Sequence, residues 1–354
     1  MKAAVYHGTN DLRVEDIPVP DIGAGEILVK VDVCGVCPTD IKKIHKGLLP
    51  GPRVFGHEIA GAIARVGPGV SRFQEGQRVV VHHHAPCGKC FYCRQREYAQ
   101  CPFFKKNGTT AGFEPSGGGM AEYLRAMDFI VDQGTIPVPD GVLAEEAAFV
   151  EPVNTCLKAV RRASIEKGQT VLVVGQGPIG LLLMQLARWA GAEVIVSDTL
   201  PDRLEVARSL GAAMVLDPTR DDVVKEVRAA VSGRGADCAI LAAVGQTPFN
   251  QAVDATRPGG KIMVFSTTAP GETAVVDLGV LCPLEKQILT SYSSSQDVQD
   301  LAAQLVFRRE IKVRELITHR FPLDDAKAAI DLASRPAPGV LKVVVQMNGG
   351  GIGP

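Results

Sequence analysis

At 354 residues, with 38 basic against 39 acidic side chains and a formal charge of −1, the chain offers nothing for electrostatic capture of nucleic acid or an anionic membrane. Hydrophobic residues make up 46% and charged residues 22%, which excludes a disordered or fibrous chain. At about 150 residues per domain, the length points to two globular domains.

The start, Met1-Lys2-Ala3-Ala4-Val5-Tyr6-His7-Gly8, has no long apolar region and no small-residue cleavage site, so a secretory signal is not expected. The first part then alternates short β-branched runs (1–6, 26–33, 59–66, 78–82) with turns at Pro18, Pro20, Gly23, Gly25, Gly67, Pro68 and Gly69. From 143 to 163 the texture turns helical. Beyond it, strand and helix alternate: strands at 170–174, 193–197, 214–216, 238–242 and 261–266, helices at 179–190, 201–210, 221–231 and 249–256, with 287–293 as a last strand. Such alternation with short turns predicts a parallel, doubly wound sheet. Helices near 298–307 and 324–334 and a strand at 340–346 follow. Their mixed texture resembles the first part, so the two chain ends are expected to form one domain. The tail Asn348-Gly349-Gly350-Gly351 is expected to fray. The most apolar stretch, 171–187, is broken by Gly175, Gln176, Gly177, Pro178 and Gly180, whereas a membrane span needs about 20 apolar residues.

"TVLVVGQGPIGLLLMQLA" places Gly175-x-Gly177-x-x-Gly180 between an apolar strand and a helix. The first glycine permits a tight turn, the second lets a pyrophosphate approach the backbone, and the third allows close helix–strand packing. Pro178 and Ile179 open the helix, whose N–H groups and dipole would meet the phosphates. Asp198 ends the next strand, about twenty residues on, where a carboxylate can accept the ribose hydroxyls and repel a 2′-phosphate. That favours NAD over NADP. Arg203 could hold a 2′-phosphate, but a solvent-facing place in the first helical turn is the simpler expectation. The apolar run 181–186 is expected to be core.

Nine cysteines, an odd number, argue against a disulfide framework and for a reducing compartment, the cytoplasm. Four of them, Cys87-x2-Cys90-x2-Cys93-x7-Cys101, offer a closed thiolate set that leaves zinc no position for substrate, so they read as a structural zinc site. His82, His83 and His84 precede them. Consecutive strand residues face opposite sides, so the three cannot share one metal. They are expected to be exposed or supporting imidazoles at a strand end, with His82 and His84 as the neighbours of an active site if any are.

A second constellation is sparse. "CGVCPTD" holds Cys37, Thr39 and Asp40, "GHEIAGAIARVGPGV" holds His57 and Glu58, and "VEPVNTCLKAV" holds Glu151. Cysteine, histidine and carboxylate from separate segments suit a catalytic zinc with an open or exchangeable position. Gly56-His57-Glu58-x2-Gly61-x5-Gly67-x2-Val70, the four-cysteine loop, Gly117-Gly118-Gly119-Met120-Ala121-Glu122-Tyr123 and the glycine turn with Asp198 together resemble the zinc-dependent medium-chain dehydrogenases, the alcohol, polyol and threonine dehydrogenase-like enzymes, along essentially the whole chain.

The resemblance implies an α/β fold, with a GroES-like, mainly-β catalytic domain (1–152 and 294–354) and an inserted Rossmann domain (153–293). It implies two zinc ions per chain. Cys37 and His57 would be the firmest catalytic ligands. Glu151 stands where the polyol and threonine branch has a glutamate, and Glu58 matches a ligand that exchanges with water. Thr39 matches a residue contacting the substrate hydroxyl, and Thr155 one near the nicotinamide. The pattern departs at Pro38, at Met120, and at Lys42, where the alcohol branch has a proton-relay histidine. Lys42, Lys43, His45 and Lys46 are expected to form a solvated face, though the run could receive an anionic substrate such as a phosphorylated polyol. The implied activity is hydride transfer between a secondary alcohol and NAD by a homodimer or homotetramer. An NADPH-dependent carbonyl or imine reductase of the same fold is the alternative, and a zinc-ribbon nucleic-acid- or protein-binding module a remote one.

Overall fold

The structure, a computed structural model, describes residues 1–347 apart from Lys105, Glu114, Ser116, Thr267, Ala269 and Pro270; the glycine tail expected to fray lies outside the described residues. In chain order the first strands are β1 (Lys2–Gly8), β2 (Asp11–Asp16), β3 (Ile27–Gly35), β4 (Arg53–Val54), β5 (Glu58–Val66), β6 (Arg78–Val81), β7 (Thr109–Thr110), β8 (Tyr123–Ala126) and β9 (Thr135–Pro137). There follow β10 (Thr170–Val174), β11 (Glu193–Ser197), β12 (Met214–Leu216), β13 (Ala236–Leu241), β14 (Thr256–Val264) and β15 (Gln287–Thr290), and finally β16 (Ile317–Pro322) and β17 (Lys342–Gln346).

The chain divides into two compact units. One comprises Met1–Asn154, Ser294–Pro336 and the segment from Val340 on; the other comprises Thr155–Ser293 and Ala337–Gly339. The first division falls inside the helix Val150–Arg162, two residues beyond the expected boundary. The three-residue return of Ala337–Gly339, where the Gly339 amide donates to Asp202 at 2.6 Å, had no signal in the sequence.

In the first unit a sheet of order β16-β17-β3-β5-β6-β9, with β7 and β8 attached, lies beside a three-stranded sheet of order β2-β1-β4. β3 reads "ILVKVDVCG": in its middle Lys30 and Asp32 turn outward while Val29, Val31 and Val33 are buried, the period-two signature of a half-buried strand. β3 and β5 run antiparallel, pairing Gly35 with Glu58. A Cβ on Gly35 would run into the Glu58 carboxylate, so the bare backbone at the end of β3 is what leaves room for that acid.

In the second unit six strands, all parallel, take the order β12-β11-β10-β13-β14-β15. β10 is buried at all five positions, as a central strand covered on both faces must be. The strand order reverses between β10 and β13, the switch point at which doubly wound sheets bind ligands, and the glycine turn follows β10 there. Leu181, Leu182, Leu183 and Leu186 of the helix Pro178–Trp189 are buried, as core residues should be.

The expected alternation matches the observed elements closely from 170 to 290. β2 and β16 were missed because each carries mostly polar side chains. The helix Pro38–Lys46 was missed because its charges masked two apolar anchors, Ile41 and Ile44. Among the described residues no helix is long and apolar enough to cross a membrane.

A Cβ on Gly180 would meet the Gly175 carbonyl oxygen, so the third glycine of the turn is held by backbone-to-backbone approach. Gly180→Ala is expected to cost about 1–3 kcal/mol of stability by overpacking, read as a lower denaturation midpoint with weakened dinucleotide binding. A variant as stable as the parent would contradict this packing.

Candidate functional site

Cys37 is the N-cap of the helix Pro38–Lys46, with Pro38 in its first turn; the Cys37 carbonyl accepts the amides of Asp40 and Ile41. This turn carries Asp40 inward, to 1% exposure. Its Oδ2 accepts the Gly56 amide at 3.1 Å and lies 2.9 Å from His57 Nδ1. Lys43 Nζ stands 3.4 Å from the other carboxylate oxygen. His57 is thereby fixed with Nδ1 donating to Asp40, which leaves Nε2 as the nitrogen for a metal. The Cys37 sulfur, a His57 nitrogen and a Glu58 oxygen all lie within 4.8 Å of one another.

The electrostatics fit a cation at that point. Burial pushes the Asp40 carboxyl up, but His57, Lys43 and the Gly56 amide outweigh it, and the acid is held well below the usual carboxylate range. Burial opposes a charge on His57, yet the Asp40 carboxylate and the Cys37 sulfur, which is also hydrogen-bonded to the ring, raise it well above its ordinary value. In the metal-free protein a proton on His57 thus supplies the positive charge that a metal would bring. Glu58 is paired with Lys342 at the start of β17, and Lys342 Nζ also donates to the Val36 carbonyl at 3.0 Å; both partners are buried. Burial works against a charged Lys342, but Glu58 and then Cys37 raise its pKa.

Glu151, in the first turn of Val150–Arg162, lies outside the set of three. It is buried, and burial pushes its carboxyl up to about 7, with His57 opposing and Glu58 adding to the rise. Thr39 is half-buried on the same turn as Asp40.

The four-cysteine loop is a separate cluster, its sulfurs all within 4.8 Å of one another. Cys90 and Cys93 sulfurs are 3.5 Å apart and those of Cys87 and Cys93 4.0 Å, while the Cys87 amide donates to the Cys101 sulfur at 3.3 Å. A tetrahedral zinc with bonds of ~2.3 Å separates its sulfurs by about 3.8 Å, so the spacing suits the metal. The amides of Lys89 and then Cys90 pull the Cys87 thiol down to about 6, towards the thiolate a metal needs. None of the nine cysteines is in a disulfide.

His82, His83 and His84 differ from expectation. All three are buried, and it is His83, not His82 or His84, whose ring packs on His57, with centroids 4.6 Å apart. The strand alternation used to place them does not apply, because β6 ends at Val81. Beyond it the His82 amide donates to Gly134 and the His83 carbonyl accepts from Thr109.

In the second unit Gly175 has φ +90°, as a glycine-only turn requires. Asp198 accepts the Gln176 amide at 2.5 Å and the Leu200 amide at 2.9 Å. Arg203 does not face solvent as expected. Its side chain is 15% exposed, with Nη1 3.9 Å from Asp198 and beside Gly177, because the first turn of the helix Pro201–Ser209 points it back at the glycine loop. Thr155 belongs to this unit and is half-buried.

Residues 23–140 match the family model of the alcohol dehydrogenase GroES-like domain, and residues 178–308 that of the zinc-binding dehydrogenases. The chain is 30% identical over 361 residues to the sorbitol dehydrogenase of Bacillus subtilis (strain 168), covering 98% of each. It is 30% identical over 350 residues to the D-arabitol-phosphate dehydrogenase of Enterococcus avium, covering 96% of this chain and 95% of that one. The solved structure of a zinc-binding dehydrogenase from Sinorhizobium meliloti 1021 bound to NADP superposes with a TM-score of 0.88 at 30% identity, covering 98% of each chain. The chain belongs to the zinc-dependent medium-chain dehydrogenases.

The dehydrogenase is therefore an alcohol/polyol oxidoreductase of the NAD(P)-dependent class, with the GroES-like and Rossmann folds that its motifs implied. Two of its polar anchors escaped the sequence reading. Asp40 was noticed only as part of a segment; its signal was the spacing Cys37-x-x-Asp40 on a helix, which turns both inward. Lys342 left a fainter trace, a lone cation leading three valines in the strand "KVVVQ".

The raised Glu151 carboxyl carries a stability signature. Its folded value, about 7, exceeds the unfolded 4.5, so the folded state binds the proton more tightly. That advantage is present below the unfolded value and is lost as pH rises through about 7, by up to about 3 kcal/mol. In metal-free enzyme Glu151 is expected to contribute a loss of stability as pH rises from about 4.5 to about 7, and Glu151→Gln to remove that part of the slope from denaturation curves. An unchanged slope in the variant would refute the assignment.

Proposed function

We propose that the dehydrogenase oxidises a secondary alcohol, of a polyol, sugar alcohol or hydroxy-amino acid, to the carbonyl with hydride transfer to NAD, using zinc held by Cys37, His57 and Glu58 with Glu151 as a further ligand. The observation that carries this reading is the convergence of thiol, imidazole and carboxylate within 4.8 Å, on a site with its own buried counter-charges. Zinc there would supply Lewis acidity that lowers the pKa of the substrate hydroxyl, and the nicotinamide would accept the hydride.

The chain's own residues do the rest. Asp40 holds His57 in the tautomer that offers Nε2. Lys342 balances the charge of Glu58, so the acid can lie near a thiolate without repelling it. Thr39 Oγ1 accepts the hydroxyl proton and passes it on towards solvent. Glycines 175, 177 and 180, with Pro178 and Ile179, receive the pyrophosphate, Asp198 the adenosine ribose, and Thr155 the nicotinamide end. Cys87, Cys90, Cys93 and Cys101 hold a second, structural zinc.

NAD is favoured by Asp198. The NADPH-dependent reading gains support from the inward Arg203 and from the NADP bound to the Sinorhizobium meliloti relative; relative affinities for NAD and NADP separate the two. A phosphorylated polyol deserves a place among the substrates tried, since the Enterococcus avium relative is named for one. We place the enzyme in the cytoplasm, as a homodimer or homotetramer. β15 is an edge strand with mostly exposed side chains, flanked by exposed Val275, Leu278 and Leu284, which suits pairing with a second copy; sedimentation of the purified enzyme would decide the state.

The decisive variant is His57→Ala. Assayed for metal content and for NAD reduction across polyols, sugar acids, amino alcohols and simple alcohols, it is expected to keep the four-cysteine zinc, lose the other and fall by at least about a hundredfold in kcat/KM. Parent-level turnover with that zinc gone would sink the proposal.

A further inference from the structure

Four rings touch in succession, tilted or edge to face, from the candidate catalytic residues to the four-cysteine loop. The His83 ring centroid is 4.6 Å from that of His57 and 3.7 Å from that of His84, and His84 is 3.7 Å from Phe104. Every member is buried. Phe104 packs in one apolar cluster with Cys93 and Cys101, against Cys87 and Cys90. It is therefore held in place by the loop's own fold: its amide donates to the Cys101 carbonyl at 3.0 Å, and its ring packs in the cluster.

The backbone under the histidines is fixed on both sides. The His82 amide donates to the Gly134 carbonyl at 2.9 Å, the Thr109 amide to the His83 carbonyl at 3.3 Å, and His84 bridges Gly108. The His83 ring, by contrast, has a buried Nδ1 with no hydrogen-bond partner. A buried nitrogen left unbonded gives the ring no polar anchor at that atom, so the rings packed against it bear more of its orientation. Those are His57 on one side and His84 on the other.

We propose that this chain of ring contacts makes a metal in the four-cysteine loop a positioning element for the Cys37–His57–Glu58 site, beyond holding the loop itself together. A metal bound by the four sulfurs would lock the loop in this arrangement, and Phe104 with it. Phe104 sets His84, His84 sets His83, and His83 supports the face of His57 that Asp40 does not hold. The inference rests on reading both clusters as metal sites. Asp40 fixes His57 through one nitrogen, and the ring contacts fix the tilt of the ring about that bond. Such supporting contacts typically change metal affinity by about 10–100-fold.

The test uses full-length enzyme with zinc in the four-cysteine loop and cobalt(II) at the Cys37 site, following cobalt's visible spectrum and its loss to a chelator. Phe104→Leu removes the ring but keeps an apolar side chain, and Phe104→Tyr keeps the ring. Phe104→Leu is expected to retain the loop zinc, shift the cobalt bands and weaken cobalt binding by about tenfold, while Phe104→Tyr behaves as the parent. If Phe104→Leu loses its loop zinc or fails to fold, His84→Leu breaks the ring contacts one ring further from the loop and is read in the same way. Parent-like cobalt spectra and affinity in a folded variant lacking either ring would overturn the coupling and leave the metal reading standing. A parent enzyme that binds no metal at the Cys37 site would overturn the metal reading itself, and the coupling with it.

Discussion

Asp40 is a carboxylate with almost no exposed surface that still carries its charge. Keeping it ionised in the interior requires positive or hydrogen-bonding groups on every side, and the structure supplies the Gly56 amide, His57 Nδ1 and Lys43. Those partners come from two segments, the helix that begins after Cys37 and the turn into β5. Satisfying one buried acid therefore brings Cys37 and His57 together and sets the histidine's tautomer. Removing a single partner from such a buried network leaves an uncompensated charge, which typically costs about 3–5 kcal/mol. The geometry is accordingly held much more tightly than a surface cluster of the same residues would be.

Glu58 repeats the arrangement. It starts β5 opposite Gly35, which gives its side chain room, and it is neutralised by Lys342 from the far end of the chain. One member of each buried pair, His57 of one and Glu58 of the other, lies within 4.8 Å of the Cys37 sulfur. Between them the acids and cations nearly balance, so a divalent ion bound by a thiolate would meet a site already organised for its charge. The four-cysteine loop works by different physics. Its sulfurs are close in sequence, it has only a small apolar cluster of its own around Phe104, and a metal there would stand in for the core that the loop lacks.

Much of this was legible in the sequence, for identifiable reasons. The glycine turn, Asp198 and the four cysteines are local patterns whose spacing alone dictates geometry, and the second unit's alternation of strand and helix spells out its sheet. Cys37, His57 and Glu58 were legible through their chemistry and their motif. Lys342 was not, because its partner is brought to it only by the pairing of β17 with β3 and β3 with β5, a long-range contact with no local signature. The histidine run misled for a related reason. Alternation along a strand is a sound rule only while the strand lasts, and β6 stops one residue before His82. Arg203 was misjudged because the direction of its helix's first turn, not its charge, decides whether it meets solvent or the glycine loop.

The proposed function calls for two metal positions of different character within one chain. Anomalous scattering at the zinc edge, collected from crystals of the enzyme purified with its native metals, locates them directly. The expected map has one peak among the sulfurs of Cys87, Cys90, Cys93 and Cys101 and a second among Cys37, His57 and Glu58, with Nε2 of His57 facing the second peak. A single peak in the four-cysteine loop, with the Asp40–His57 pair intact and no metal beside it, would contradict the account.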